Sequence, residues 1–412
     1  MNPTPLPSDD AAGATRPAVW IELSAAAYRH NMRALTRVLR PGVRRMAVVK
    51  ANAYGHGAPV IARLAVAEGI DYLGVDCLPE YEELAAIAGD VPVCLLGPTL
   101  PDAAPAVARS GAEPTVSELE TAAALAAAVR RGARPTPLPV HLKVETGTHR
   151  QGIAPEELPA WCRFLRAHPE LRFRGLHTHY ADIEDTTDHT HARRQLARLR
   201  AAREQFAAAG LEPELLHSAC SAAAIVMSET HGDLVRLGIA SYGLWPSRET
   251  YLSTLLSPRM GPELVPVLTW KTRIAQIKTV PAGEYVGYGC TFRAPRDMRL
   301  AVLPVGYYDG YDRGLSGRGH ALVEGRRAAV VGRICMNMMM IDVSDIERAR
   351  LGADVVLIGR SGPESVSADA LAALCGTINY EIVARLGRHL PRRLIAGNGP
   401  AGTAEAAARS AD

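Results

Sequence analysis

Five short apolar runs in this chain end in groups that can do chemistry. "AVVK" ends at Lys50, "VHLK" reaches Lys143, and "GLHTH" reaches His179. "LLHSAC" runs through His217 and Cys220 into Ser221, and "LVRLGI" carries Arg236, Gly238 and Ile239. Lysine is scarce here. Of 46 Lys and Arg residues only four are lysine, at positions 50, 143, 271 and 278. A chain that prefers arginine so strongly has reason to keep lysine where a guanidinium fails. Arginine does not deprotonate, whereas a lysine amine can attack a carbonyl and form a Schiff base. Ser221 at a helix start and the Gly238–Ile239 backbone suit an oxyanion. A phosphate site facing a lysine points to a phosphorylated aldehyde, with pyridoxal phosphate the leading candidate. By itself a strand-end lysine reads more readily as a solvated cap or ion-pair partner. Lys271 and Lys278 have no such setting and are expected on the surface.

The elements that must position these groups are legible from residue 45 onward. Strand-like runs at "RMAVVK", "YLGVD", "PVCLLG", "EPTV", "VHLKVE", "RGLHTHY", "LLHSAC" and "LVRLGIA" alternate with Ala/Leu/Arg-rich segments of helical period. Eight such units over about 200 residues predict an α/β (β/α)8 TIM-type barrel, whose functional groups sit at the C-terminal strand ends. A doubly wound sheet is the runner-up, but no G-x-G-x-x-G follows any strand. Beyond residue 250 the texture becomes β-rich with Gly turns, and a late helical stretch begins at "SADALAALCG". The expected division is a disordered arm (1–17), a strand joining the C-terminal β-domain (18–24), the barrel (25–250), a mainly-β domain (251–395) and a disordered tail (396–412).

Composition excludes several classes. Hydrophobic residues make up 48% and charged residues 22%, with a net charge of +3 and no block of like charge. Nucleic acid is therefore not an expected partner. No apolar run approaches the roughly 20 residues of a membrane span, and the first residues lack the pattern of a signal peptide. Seven scattered cysteines show no zinc-ligand spacing. The expectation is a cytoplasmic enzyme without a metal.

Taken in order, several segments resemble the alanine racemases, a pyridoxal-phosphate-dependent family. They are "VVKANAYGHG", "HLKVETGTHRQG", "GLHTHYA", "VRLGIASYG", "GYGCTF", "VGYYDG", "VGRICMN" and "TINYEI". The resemblance runs from about residue 18 to 395. It implies a barrel plus a β-domain, in a homodimer whose active sites combine both chains. Lys50 would bind the cofactor and serve as one base, with Tyr288 of the partner subunit the other. Arg236, supported by His217, would meet the pyridine nitrogen, and His179 would tune that tyrosine. The resemblance gives the phosphate to Tyr54, Ser221, Gly238, Ile239 and Tyr380. Arg150 and Met336 would meet the substrate, Lys143 would orient Arg150 in carbamylated form, and Tyr307 would line the entrance.

The chain also departs from the family pattern. Cys220 stands where asparagine is usual and Asn337 where aspartate is. Cys290 replaces an arginine, and Thr148 a methionine. None of these touches either base. The implied reaction is interconversion of L- and D-alanine for peptidoglycan; a racemase of serine or a larger amino acid is the alternative. A decarboxylase on the same fold would use a carboxylate at the ring nitrogen, against Arg236. A non-enzymatic pyridoxal-phosphate-binding protein would lack the second domain and Tyr288.

Overall fold

The computed structural model describes residues 16–256 and 261–396. The expected arm and tail fall almost wholly outside them. Two units emerge.

The first unit comprises Leu23–Leu268 with Ile378–Arg388, and it is a parallel barrel with helices. After a preceding strand, β1 (Val19–Ser24), its eight strands follow in chain order. They are β2 (Arg44–Val48), β3 (Tyr72–Val75), β4 (Val93–Leu95), β5 (Glu113–Val116), β6 (Leu138–Lys143), β7 (Leu171–His177), β8 (Leu215–His217) and β9 (Leu234–Leu237). Parallel ladders run β8-β7-β6-β5-β4-β3-β2-β9. Closure comes through Asp233 N–H to Leu216 O (2.8 Å) and Arg236 N–H to Ala219 O (3.0 Å). Met46, Val48, Tyr72, Cys94, Leu215 and Leu234 fill the interior. Inward polar residues then stand out at alternate positions: His141 and Lys143 on β6, His177 and His179 along and just past β7.

One segment departs from ordinary helical geometry. Lys50–Tyr54 turns left-handed, with φ of 53°, 55°, 52° and 52° at Ala51, Asn52, Ala53 and Tyr54. Each non-glycine residue there costs roughly 1–2 kcal/mol. Glu80 offsets part of this: its carboxylate accepts from Ala51 N–H (2.8 Å) and Asp76 N–H (2.7 Å). Asn52 Oδ1 accepts from Ala58 N–H (3.0 Å), and the Tyr242 hydroxyl donates to Val48 O (2.7 Å). Gly55 ends the turn at φ +80°, where a Cβ would lie 1.8 Å from Val383 O.

The second unit comprises the residues up to Glu22, Thr269–Thr377 and His389–Arg393. Among the described residues it holds a ten-stranded, mainly antiparallel sheet, with β1 between the strands Leu268–Arg273 and Arg392–Ile395. Lys271 therefore differs from expectation: it is half-buried and ion-paired to Glu22 at 2.8 Å, because β1 returns beside its strand. Lys278 is exposed. The division also differs from 251–395, since Ile378–Arg388 clusters with the barrel. Asn379 Nδ2 donates to Trp245 O (2.9 Å), and the Tyr380 ring lies 6.1 Å from that of Tyr54.

Replacing Glu80 by alanine leaves two N–H groups without their carboxylate and is expected to cost about 2–3 kcal/mol of unfolding free energy. Glu80→Gln, which keeps one acceptor oxygen, should cost less. Urea denaturation checks this; equal stability of Glu80→Ala and wild type would refute the clamp.

Candidate active site

At the C-terminal ends of the barrel strands lies a cavity of about 460 Å³ lined wholly from the barrel unit. The structure brings together there Lys50, Tyr54, Lys143, Arg150, His179, Ser221, Arg236, Gly238, Ile239 and Tyr380. The left-handed turn explains how Lys50 and Tyr54, four residues apart, both reach it. Lys50 Nζ lies 3.1 Å from Asp76 Oδ1.

One side of the cavity is shaped for an anion. Ser221 Oγ accepts from Gly238 N–H (3.0 Å) and sits 3.4 Å from Ala240 N, which leaves its own O–H free to donate. The Tyr54 hydroxyl approaches Gly238 so closely that a Cβ there would be 2.8 Å from it. Glycine is required for that approach. Burial raises the Tyr54 phenol to about 12 and pushes Tyr380 higher still, so both remain hydrogen-bond donors at neutral pH.

The other side is cationic. Arg236 is buried and donates to His217 Nδ1 (3.0 Å), His217 O (2.9 Å), Thr178 O (2.8 Å) and Ser218 O (2.9 Å). His179 Nδ1 lies 3.4 Å from the same guanidinium. Burial, with Arg236 and Arg150 nearby, pulls His179 down to about 3, so the imidazole is neutral. Lys143 is buried, donates to Gln151 Oε1 (3.1 Å), and is lowered to about 8 by burial and then by Arg150 and Arg236. A cavity with this charge favours a ligand carrying several negative charges.

Tyr288, Tyr307 and Met336 belong to the β-rich unit. All three are exposed, Tyr288 at 68%. Within that unit they gather around the segment 333–338. Tyr307 N–H donates to Cys335 O (3.1 Å) and Tyr308 N–H to Met336 O (3.0 Å). Gly287 and Gly289, flanking Tyr288, lie against Arg333.

Models of the alanine racemase N-terminal domain and C-terminal domain match residues 23–246 and 267–394. The chain belongs to the alanine racemase family. The alanine racemase of Desulfovibrio desulfuricans is 41% identical over 91% of this chain and 97% of its own length. Among solved structures, the alanine racemase of Streptomyces coelicolor A3(2) superposes with a TM-score of 0.82 at 35% identity, covering 92% of this chain and 98% of that one. The alanine racemase of Bartonella henselae, with covalently bound pyridoxal phosphate, gives 0.80 at 27% identity, over 92% and 100%.

Several groups around this racemase-family site escape motif reading. His177 lines the cavity and stacks on His217 at 4.6 Å and 7°. Glu184 is a cavity carboxylate raised by burial, and Asp76 meets Lys50. A signal existed only for His177, whose alternation with His179 marks both as inward-facing. Of the family departures, Cys220 lines the cavity, and Thr148 Oγ1 donates to His179 O (2.6 Å).

The Lys143 amine is expected to lose its proton near pH 8 rather than at the ordinary 10.5. Because the folded state binds fewer protons than the unfolded chain between those values, this group's penalty is full below pH 8 and is relieved as pH rises toward 10.5. Reductive ¹³C-methylation followed by NMR titration checks the midpoint; a value above 10 contradicts this environment.

Proposed function

We propose that this chain interconverts L- and D-alanine with pyridoxal phosphate, as a homodimer in which each active site draws on both subunits. The observation that carries the reading is the convergence of Lys50, Arg236 and the Ser221–Gly238 anion cradle in one cavity. The residues present fit the cofactor. Ser221, Tyr54, Tyr380 and the Gly238–Ile239 backbone would hold its phosphate, and Lys50 would take its aldehyde. Arg236, unable to accept a hydrogen bond, would face the ring nitrogen and disfavour its protonation. When bound, the cofactor supplies a conjugated ring that acidifies the Cα–H of the attached amino acid.

The chain's own groups then manage protons and orientation. Lys50 moves a proton at one face of Cα, and Tyr288 of the partner subunit moves one at the opposite face, as inversion requires. Neutral His179, whose Nδ1 faces the donor-only Arg236, keeps its proton on Nε2 and donates it to that tyrosine's oxygen. Arg150 binds the substrate carboxylate, with Lys143 beside it, carbamylated or as the free amine. Met336 of the partner subunit approaches the substrate, and Tyr307 and Tyr380 narrow the entrance.

Exposure of Tyr288, Tyr307 and Met336, with Tyr285, Tyr308 and Met338 also exposed, supports a second copy of the chain covering this face. No disulfide links any of the seven cysteines, and no helix among the described residues is long and apolar enough to cross a membrane. Cysteines without disulfides suit a reducing cytoplasm, where the D-alanine formed would supply peptidoglycan.

Lys50→Ala is expected to lose the cofactor's visible absorbance and at least about 10³-fold of racemisation, and Tyr288→Phe a comparable factor without losing the cofactor. If sites are shared, mixing and reassembling the two inactive variants should restore about a quarter of wild-type activity, since half the dimers are mixed and each holds one intact site. No recovery despite subunit exchange would refute the shared site.

A further inference from the structure

Arg236 raises a physical problem. Its guanidinium is buried, burial works against its charge, and all its hydrogen-bond acceptors are neutral. Among the described residues no carboxylate lies within ion-pair distance of it. A carboxylate is nevertheless reached through hydrogen bonds. His217 Nε2 lies 3.0 Å from His141 Nδ1, and His141 Nε2 lies 2.9 Å from Glu113 Oε2. All members of this chain are buried.

The two ends dictate its direction. Arginine has only donors, so His217 Nδ1 must accept and its proton must sit on Nε2. That N–H then donates to His141 Nδ1, which places the His141 proton on Nε2, facing Glu113. Burial works against the Glu113 charge, but the hydrogen bonds from His141 and Tyr72 and the Arg174 guanidinium lower its pKa overall, so it is a carboxylate. Protonating both nitrogens of His141 would reverse its bond to His217 and leave His217 presenting N–H to Arg236, donor against donor.

The fold makes specific room for this path. The β6–β7 register shifts between Val140 and His141, as at a bulge that re-aims a side chain. Opposite, β7 carries Gly175, where a Cβ would lie 2.2 Å from His141 Nδ1. Glu113 is held from the far side by the Tyr72 hydroxyl (3.2 Å), with Arg174 Nε at 3.8 Å.

We propose that Glu113 and His141 are positioning residues for Arg236: acting through His217, they fix the tautomer that keeps the guanidinium charged and aimed into the cavity. The proposal rests on the reading that Arg236 faces the cofactor's ring nitrogen. Control of that contact then extends through His217 on β8 and His141 on β6 to a carboxylate on β5 that touches neither cofactor nor substrate.

Two measurements on the full-length protein test it. In apoprotein with ¹⁵N-labelled histidine rings, His141 and His217 should both carry their proton on Nε2 at neutral pH; a proton on Nδ1 of either overturns the relay. The second compares the apoprotein's affinity for pyridoxal phosphate and for its carbocyclic 1-deaza analogue, which lacks the ring nitrogen. Wild type should favour the natural cofactor at least about tenfold. His141→Phe and Glu113→Met should bring that preference within about twofold, while Glu113→Gln, whose amide oxygen still accepts, should keep most of it. A merely structural loss would weaken both ligands alike and leave the ratio intact, which would overturn the proposal. Equal affinities in wild type would instead reject the Arg236–ring nitrogen reading, and the ring spectra would still decide the relay. Should Glu113→Met or His141→Phe not fold, the wild-type spectra and Glu113→Gln suffice.

Discussion

The left-handed turn from Lys50 to Tyr54, and the Glu80 carboxylate that grips its first N–H, is the constraint on which the cavity depends. A right-handed helix starting at Lys50 would send Tyr54 along a different path from the strand end. Turning the other way delivers the amine and the phenol to one cavity within four residues. The backbone cost is spread over Ala51, Asn52, Ala53 and Tyr54, and Gly55 ends the turn where no side chain fits against Val383 O. Local strain held by surrounding hydrogen bonds is a recurrent property of active sites.

Charge is arranged on the same principle. Lys50, Lys143, Arg150 and Arg236 converge with few carboxylates to neutralise them. Burial first, and then repulsion from Arg150, Arg236 and Lys50, lower Lys143 to about 8. A cofactor phosphate and a substrate carboxylate would supply the missing negative charge, so binding and relief of repulsion reinforce one another. His179 shows the complementary effect, since burial and then the same cations hold it neutral, with Nδ1 able to accept from Arg236.

Much of this was legible in the sequence, for identifiable reasons. The eight barrel strands are short apolar runs separated by helical periodicity, and each strand-like run contains or overlaps a barrel strand in the structure. Strand-end Lys50, Ser221 and Arg236 follow from that framework, because a barrel's ends gather whatever polar groups they carry. The turn after Lys50 was not legible: alanine and tyrosine give no hint of positive φ, and Asn52 and Gly55 alone are too common to signal it. Long-range return was also hidden. Ile378–Arg388 follows a β-rich stretch in sequence yet docks on the barrel, and β1 crosses more than two hundred residues to pair beside Lys271. Glu113 and His141 look like ordinary strand polar residues until the register brings them into line with His217.

The Lys50 side of the cavity is expected to exchange the α-proton of alanine. The direct measurement is incubation of the enzyme with L-alanine, D-alanine or serine in D2O, followed by chiral separation and mass analysis. Each alanine enantiomer should yield its mirror image carrying solvent deuterium at Cα, with serine exchanged far more slowly. No deuterium in either alanine, or faster exchange with serine, would contradict it.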